Sequence, residues 1–143
     1  MRIAEVIRRK GADVITVAPD AGVAELVALL GEKRIGALVV SSDGGATVAG
    51  IVSERDVVMR LASDGPSVLE RTVADIMTVE VETCSPDDEL ESLARRMTDL
   101  RVRHLPVVVD GRLTAIVSIG DVVKNRLDEL QDERDQLVTY VRG

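Results

Sequence analysis

Ser53 and Asp56 stand three residues apart where a β-branched run gives way to a helical pattern, and Ser118 and Asp121 repeat the arrangement 65 residues later. A serine followed three positions on by a carboxylate is the pattern of a capping box. The hydroxyl accepts an orphan N–H of the first helical turn, and the acid reaches back to the cap's own amide. The same atoms suit a ligand. A serine hydroxyl and the amides of a helix start can hold a phosphate or ribose, and the carboxylate can accept two hydrogen bonds from a ribose diol. Cap and ligand site are compatible, because a capped helix start presents its remaining donors outward.

Few other residues offer chemistry. Arg103 and His104 form a cationic pair that occurs once, and a single histidine without a cysteine cluster makes no zinc site. His104 is a half-exposed strand residue or a phosphate contact, the latter favoured if an anion stabilises its protonated form. Arg55 either points at phosphate or pairs with a neighbouring acid on a solvated face, and the pairing is preferred. Cys84 is alone, in an apolar setting with Glu80 and Glu82 nearby, and reads as a small buried residue without a thiolate's electropositive surroundings. There is no Ser/His/Asp set in plausible order, no P-loop lysine motif and no His/Cys cluster, so the chain reads as non-enzymatic with no catalytic cofactor. Distant paired carboxylates are the one catalytic arrangement these motifs leave open.

The polar motif belongs to a longer duplication. Thr16, Pro19 and Asp20 return as Thr83, Pro86 and Asp87 at a spacing of 67 residues, Arg34 returns as Arg101, and Gly50-Ile51-Val52-Ser53 returns as Ala115-Ile116-Val117-Ser118 at 65. The lost two residues fall in a hairpin loop, where length changes are tolerated. Copies too small to enclose a core alone are expected to pack face to face about a pseudo-two-fold axis, so that any cleft is built twice.

Hydrophobic periodicity gives each copy the order β-α-β-β-α. Strands are expected at 14–18, 35–40 and 47–53 in the first copy and at 81–84, 102–109 and 113–118 in the second. Val23, Leu26, Val27 and Leu30 mark one helix, and Leu90, Leu93, Ala94, Met97 and Leu100 mark its counterpart. Further helices start near Asp56 and Asp121. Asp110-Gly111 is a two-residue hairpin turn, residues 62–71 are a link, and short amphipathic helices lead each copy at 3–7 and 72–77. The last helix continues past the repeat, with Leu127, Leu130, Leu137 and Tyr140/Val141 in nearly a heptad stripe broken by Arg134. That stripe either covers its own domain or forms a homodimer seam.

Composition narrows the partners. A chain of 143 residues makes about one ordinary domain, with 45% apolar residues that are almost all aliphatic and Tyr140 as its one aromatic. Any ligand would be gripped by aliphatic side chains and backbone. A net charge of −7 repels a phosphate backbone and argues against nucleic acid. No apolar stretch approaches the roughly 20 residues of a membrane span, and residues 1–5 lack a signal peptide's apolar core, so a cytoplasmic location is expected.

The duplicated β-α-β-β-α order, the Thr-x-x-Pro openings, the run from Arg103 to Val108 and the two Gly/Ala-Ile-Val-Ser-x-x-Asp motifs together resemble a tandem cystathionine-β-synthase (CBS) domain pair, or Bateman module, over nearly the whole chain. The resemblance implies an α+β fold in which repeat 1 (residues 1–66) and repeat 2 with its extended C-terminal helix (67–143) pack as one disc-shaped module. It implies two clefts for adenosine derivatives such as AMP, ADP, ATP, NAD(H) or S-adenosylmethionine. One cleft would take Ile51, Ser53 and Asp56 with Met77, Thr78, Val79, Val102, Arg103 and His104. The other would take Ile116, Ser118 and Asp121 with Lys10, Gly11, Ala12, Ile35, Gly36 and Ala37. Asp56 and Asp121 would hold ribose hydroxyls, and Ser53 and Ser118 ribose or phosphate. Arg103 and His104 favour phosphate charge at the Asp56 cleft. Gly36 and Ala37 allow close backbone approach at the other, where Lys10 is the nearby cation. Val39 stands where the second copy has Pro106, a departure from the family's pattern that bears on the first copy's strand geometry. The expected role is a non-catalytic energy or redox sensor, a homodimer, that passes its state to a separate effector protein. The alternative is a ligand-free homodimerising scaffold for protein–protein interaction.

Overall fold

The structure is a computed structural model that describes residues 1–142. It mixes six α-helices with two small sheets and divides into two compact units. One unit holds residues 13–82 and the hairpin tip 109–114. The other holds residues 1–12, 83–108 and 115 onward.

In the first of these units, β1 (Thr16–Val17) pairs in parallel with β2 (Ala37–Val40), which pairs antiparallel with β3 (Gly50–Ser53). Every residue of β2 is buried, as a central strand covered on both faces requires. The helix α2 (Val23–Lys33) turns Val23, Leu26 and Leu30 into the same core. The link between the copies is a 3-10 turn, Pro66–Glu70, that packs on α2 and α3 (Glu54–Asp64) and buries Val68 completely. The short helix α4 (Val73–Ile76) supplies Val73 and Ile76 to this core.

The other unit contains the leading helix α1 (Ile3–Lys10), α5 (Leu90–Leu100), the hairpin β4 (His104–Val109) and β5 (Arg112–Ser118) apart from its tip, and α6 (Ile119–Arg142). Ile3 and Val6 of α1 are fully buried with Leu90, Leu93, Met97, Leu105, Val107, Ala115, Val117 and Val122. The helix that opens the chain is therefore built into the core of the second copy. The hairpin turns at Asp110 and Gly111, whose φ values of 51° and 78° are those of a primed turn.

Several strands are shorter than expected, and the causes are local. α2 and α5 end on Arg34 and Arg101, both left-handed, and the next amide reaches back into the helix: Ile35 N to Leu30 O at 3.2 Å, Val102 N to Met97 O at 3.1 Å. Residues 35 and 102 are thus spent on closing helices, so the strands begin two residues later. Thr47 likewise belongs to a turn, its amide donating to Asp43 Oδ1 at 2.9 Å. The strand expected at 81–84 shrinks to a single parallel bridge, Cys84 to Val107, with Cys84 N donating to Pro106 O and Val108 N to Cys84 O, both at 2.9 Å. Pro106 has no N–H with which to carry that ladder back toward Glu82. The Val39/Pro106 difference therefore costs the second copy its strand, while β2 in the first is paired on both sides.

The first half of α6 packs on its own unit through Ile119, Val122 and Asn125, and Arg126 bonds Glu129 while lying 3.7 Å from Glu91 of α5. Beyond that point Leu127, Leu130, Leu137, Tyr140 and Val141 are all exposed, Tyr140 at 85%. The stripe does not cover its own domain.

Candidate functional site

Each unit carries one Ser-x-x-Asp box at the point where a strand becomes a helix. In the first-copy unit β3 delivers Ser53 in extended conformation to the start of α3. Asp56 N donates to Ser53 Oγ at 3.3 Å, and Asp56 Oδ2 accepts from Ser53 N at 2.8 Å and from Ser53 Oγ at 3.1 Å. The capping box is thus formed through one carboxylate oxygen. Among the described residues the other oxygen, Oδ1, has no hydrogen-bond partner and the carboxylate has no cation.

The surroundings of this box are built by backbone. Ala37 lies opposite Ser53 in the β2–β3 register, and Gly36 O accepts from Glu54 N at 2.9 Å. Ala37 is buried, whereas Ile35 and Gly36 are half-buried. Ile51 forms an antiparallel bridge with Thr78, Ile51 N to Thr78 O at 3.0 Å and Thr78 N to Ile51 O at 2.9 Å. This holds the Met77–Val79 segment beside β3, with Val79 largely exposed. The approach is so close that a Cβ on Gly50 would stand 2.8 Å from both Thr78 O and Met77 Sδ. Arg55 is exposed and makes no ion pair among the described residues, so the pairing expected for it is not formed.

In the second-copy unit Ser118 N donates to Asp121 Oδ2 at 2.9 Å and Asp121 N to Ser118 Oγ at 3.1 Å. Ile119 N donates to Arg103 O at 2.8 Å, the counterpart of the Gly36–Glu54 bond. Arg103 is exposed, and Val102, which closes α5, and His104, which begins β4, are half-buried. The flank differs. α1 runs on to Lys10, and Gly11 follows at φ 96°. Lys10 Nζ donates to Ile116 O at 2.7 Å and to Asp121 Oδ2 at 2.5 Å. Burial pushes the Asp121 carboxyl upward, but hydrogen bonds from Lys10 and Ser118 outweigh it and hold the group below the usual carboxylate range. The side chains of this pair are 29% and 23% exposed, so it is reachable from solvent.

The candidate residues divide by unit. Ile35, Gly36, Ala37, Ile51, Ser53, Asp56, Met77, Thr78 and Val79 share one unit, and Lys10, Gly11, Ala12, Val102, Arg103, His104, Ile116, Ser118 and Asp121 share the other. Gly50 is a positioning residue that motif reading passed over. Its signal was the Gly/Ala difference between otherwise matching motifs. Cys84 is buried, and burial pushes its thiol up to about 12, which leaves it unreactive. Among the described residues no group of three or more His, Cys, Asp or Glu side chains could hold a metal ion. No described helix is long and apolar enough to cross a membrane.

The comparisons with known proteins agree with this architecture. A CBS domain family model matches residues 3–63 and again 73–128. The chain is similar to the mitochondrial CBS domain-containing protein CBSX3 of Arabidopsis thaliana, with 34% identity over 99% of this chain and 72% of the relative. The crystal structure of a CBS-domain containing protein from Agrobacterium tumefaciens matches at a TM-score of 0.84 and 41% identity, covering 88% of this chain and 99% of that one. A CBS domain pair crystallised in complex with 5′-methylthioadenosine and S-adenosyl-L-methionine shares the fold, at a TM-score of 0.78 and 22% identity over 90% of this chain and 98% of that one.

Proposed function

The chain belongs to the CBS domain family, and from that premise we propose that it is a non-catalytic sensor whose Ser-x-x-Asp half-sites bind adenosine-containing ligands of the AMP, ATP or NAD(H) class. The observation that carries this reading is the open Oδ1 of Asp56, a carboxylate oxygen left over after the cap has taken its neighbour. An ionised acceptor beside a serine hydroxyl and a helix start is suited to a ribose diol. The 5′-methylthioadenosine and S-adenosyl-L-methionine in the related CBS pair are adenosine derivatives of that kind. A bound ligand signals only through different affinities for two arrangements of the protein, so its effect is bounded by that difference.

The test separates ligand from cap. Asp56→Asn keeps a carbonyl oxygen for the Ser53 amide but removes the charge. A hydrogen bond to an ionised group is worth about 1.5–3 kcal/mol, so affinity at this half-site should fall about ten- to a hundredfold with little change in melting temperature. Calorimetric titration of AMP, ATP, NADH and S-adenosylmethionine into nucleotide-stripped protein supplies the reference. Unchanged binding of every ligand by the variant sinks the ribose assignment.

The exposed stripe of α6 favours a second function beside this one, association with a second copy of the chain. Val123, Leu127, Leu130, Arg134, Leu137 and Val141 alternate at spacings of four and three, the seam of a two-helix coil. Arg134 interrupts the seam with one charged layer.

A further inference from the structure

The two half-sites differ in one lysine, and that difference sorts ligands. Lys10 matches Met77 at the repeat spacing of 67 residues. In the first-copy unit α4 stops at Ile76, Met77 contributes no donor, and the Ile51 carbonyl is satisfied by the Thr78 amide. In the second-copy unit α1 continues to Lys10, whose ammonium satisfies the equivalent carbonyl of Ile116 and also neutralises Asp121. One box therefore presents a carboxylate without a cation among the described residues, and the other presents a carboxylate already paired.

Resting on the sensor reading above, we infer that Lys10 makes the Asp121 half-site selective for adenosine ligands that carry a phosphate. The ammonium sits on a flexible four-carbon stem and is a compact point charge, a good phosphate partner. A phosphorylated ligand offers it a stronger anion than Asp121, and the swing leaves the carboxylate, still held at Oδ2 by the Ser118 amide, with its full charge to offer the ribose. A nucleoside without phosphate offers nothing in exchange. It meets a carboxylate whose charge Lys10 already shares, in a partly desolvated corner where such an ion pair holds better than on an open surface.

The experiment uses the full chain carrying Asp56→Asn, so that the Asp121 half-site dominates, and compares calorimetric titrations with ATP and with adenosine. With Lys10 present, ATP should bind at least tenfold more tightly than adenosine. Adding Lys10→Met, which copies the first-repeat counterpart, should strengthen adenosine about tenfold, weaken ATP and bring the ratio near one. Lys10→Arg should keep the preference for ATP. A ratio unmoved by Lys10→Met overturns the inference, as does adenosine binding as tightly as ATP while Lys10 is in place. If the parent protein binds ATP at one site and Asp56→Asn abolishes all binding, the Lys10 inference fails while the sensor reading stands. If the parent protein binds neither ligand, both fail.

Discussion

Replacing Gly50 by alanine tests how the Asp56 half-site is held together. The new Cβ would lie 2.8 Å from the Thr78 carbonyl oxygen and 2.8 Å from Met77 Sδ. The methionine can swing aside. The carbonyl cannot, because Thr78 is tied to Ile51 by two hydrogen bonds of 2.9 and 3.0 Å. Overpacking of this kind costs about 1–3 kcal/mol, and alanine recovers about 0.5–1 kcal/mol over glycine in a strand, leaving a net loss of about 0.5–2 kcal/mol. Unfolding entropy of roughly 2.1 cal/mol/K per residue converts that to a fall of about 2–7 °C in melting temperature for a chain of this length. The control is Ala115→Gly in the matching motif. There the side chain is 1% exposed, and its removal forfeits about 0.8 kcal/mol of burial plus about 0.5–1 kcal/mol of strand entropy. Both changes should therefore lower the melting temperature in scanning calorimetry, but only Gly50→Ala should also weaken ligand binding at the Asp56 half-site. A Gly50→Ala protein that melts at or above the parent temperature refutes the close-approach argument.

Three other outcomes follow from local features. The Asp43 carboxyl is held down to about 2 from 3.8 by hydrogen bonds from Thr47 and then Ser41. Between those values the unfolded chain binds more protons than the folded one, so Asp43's stabilisation is complete above about pH 4 and disappears as pH falls toward 2. The gap between parent and Asp43→Asn in urea midpoints should close over that window, and a gap constant with pH contradicts the assignment. Arg101 is left-handed at φ 55°, so Arg101→Gly should gain about 0.5–1 kcal/mol, read as a rise of about 2–3 °C in melting temperature. The paired change Leu130→Asp and Leu137→Asp puts four carboxylates into the proposed seam of two chains and should yield monomer in sedimentation velocity while far-UV circular dichroism of the core persists; a parent chain that already sediments as monomer removes the seam.

Periodicity placed α5 at the residues the structure gives it, because Leu90, Leu93 and Met97 mark a face that needs burying whatever it packs on. It could not say which core would take Ile3 and Val6, since an amphipathic face specifies an apolar partner without naming one, and α1 is built into the second copy. Strand ends were misjudged wherever a neighbouring cap consumed residues. Ile35 and Val102 are β-branched and strand-like, but their amides close helices that end on left-handed arginines, and arginine is not the residue that announces such an end. The two Ser-x-x-Asp boxes were legible as caps because their geometry is local. The Lys10–Asp121 pair joins residues 111 positions apart; no spacing rule reaches that far, and only the family resemblance set Lys10 near Asp121.

The differences between the copies explain one another better than either copy does alone. Where Met77 ends a short helix, the following backbone is free to bridge Ile51, and the bridge leaves no room for a side chain at position 50. Where α1 runs on to Lys10, a side chain takes over the carbonyl of Ile116 and the matching position admits Ala115. The Gly50/Ala115 and Met77/Lys10 differences are thus one change seen from two sides: a backbone flank exchanged for a cationic one. It follows that Lys10→Met alone should leave Ile116 O without its lysine donor, whereas a lysine at Met77 would meet an Ile51 carbonyl that the Thr78 amide already occupies. Met77→Lys should therefore leave the Asp56 half-site's ratio of ATP to adenosine affinity close to the parent value. A full transfer of phosphate preference by that one change would show that the flanking bridge does not decide which donor reaches the strand.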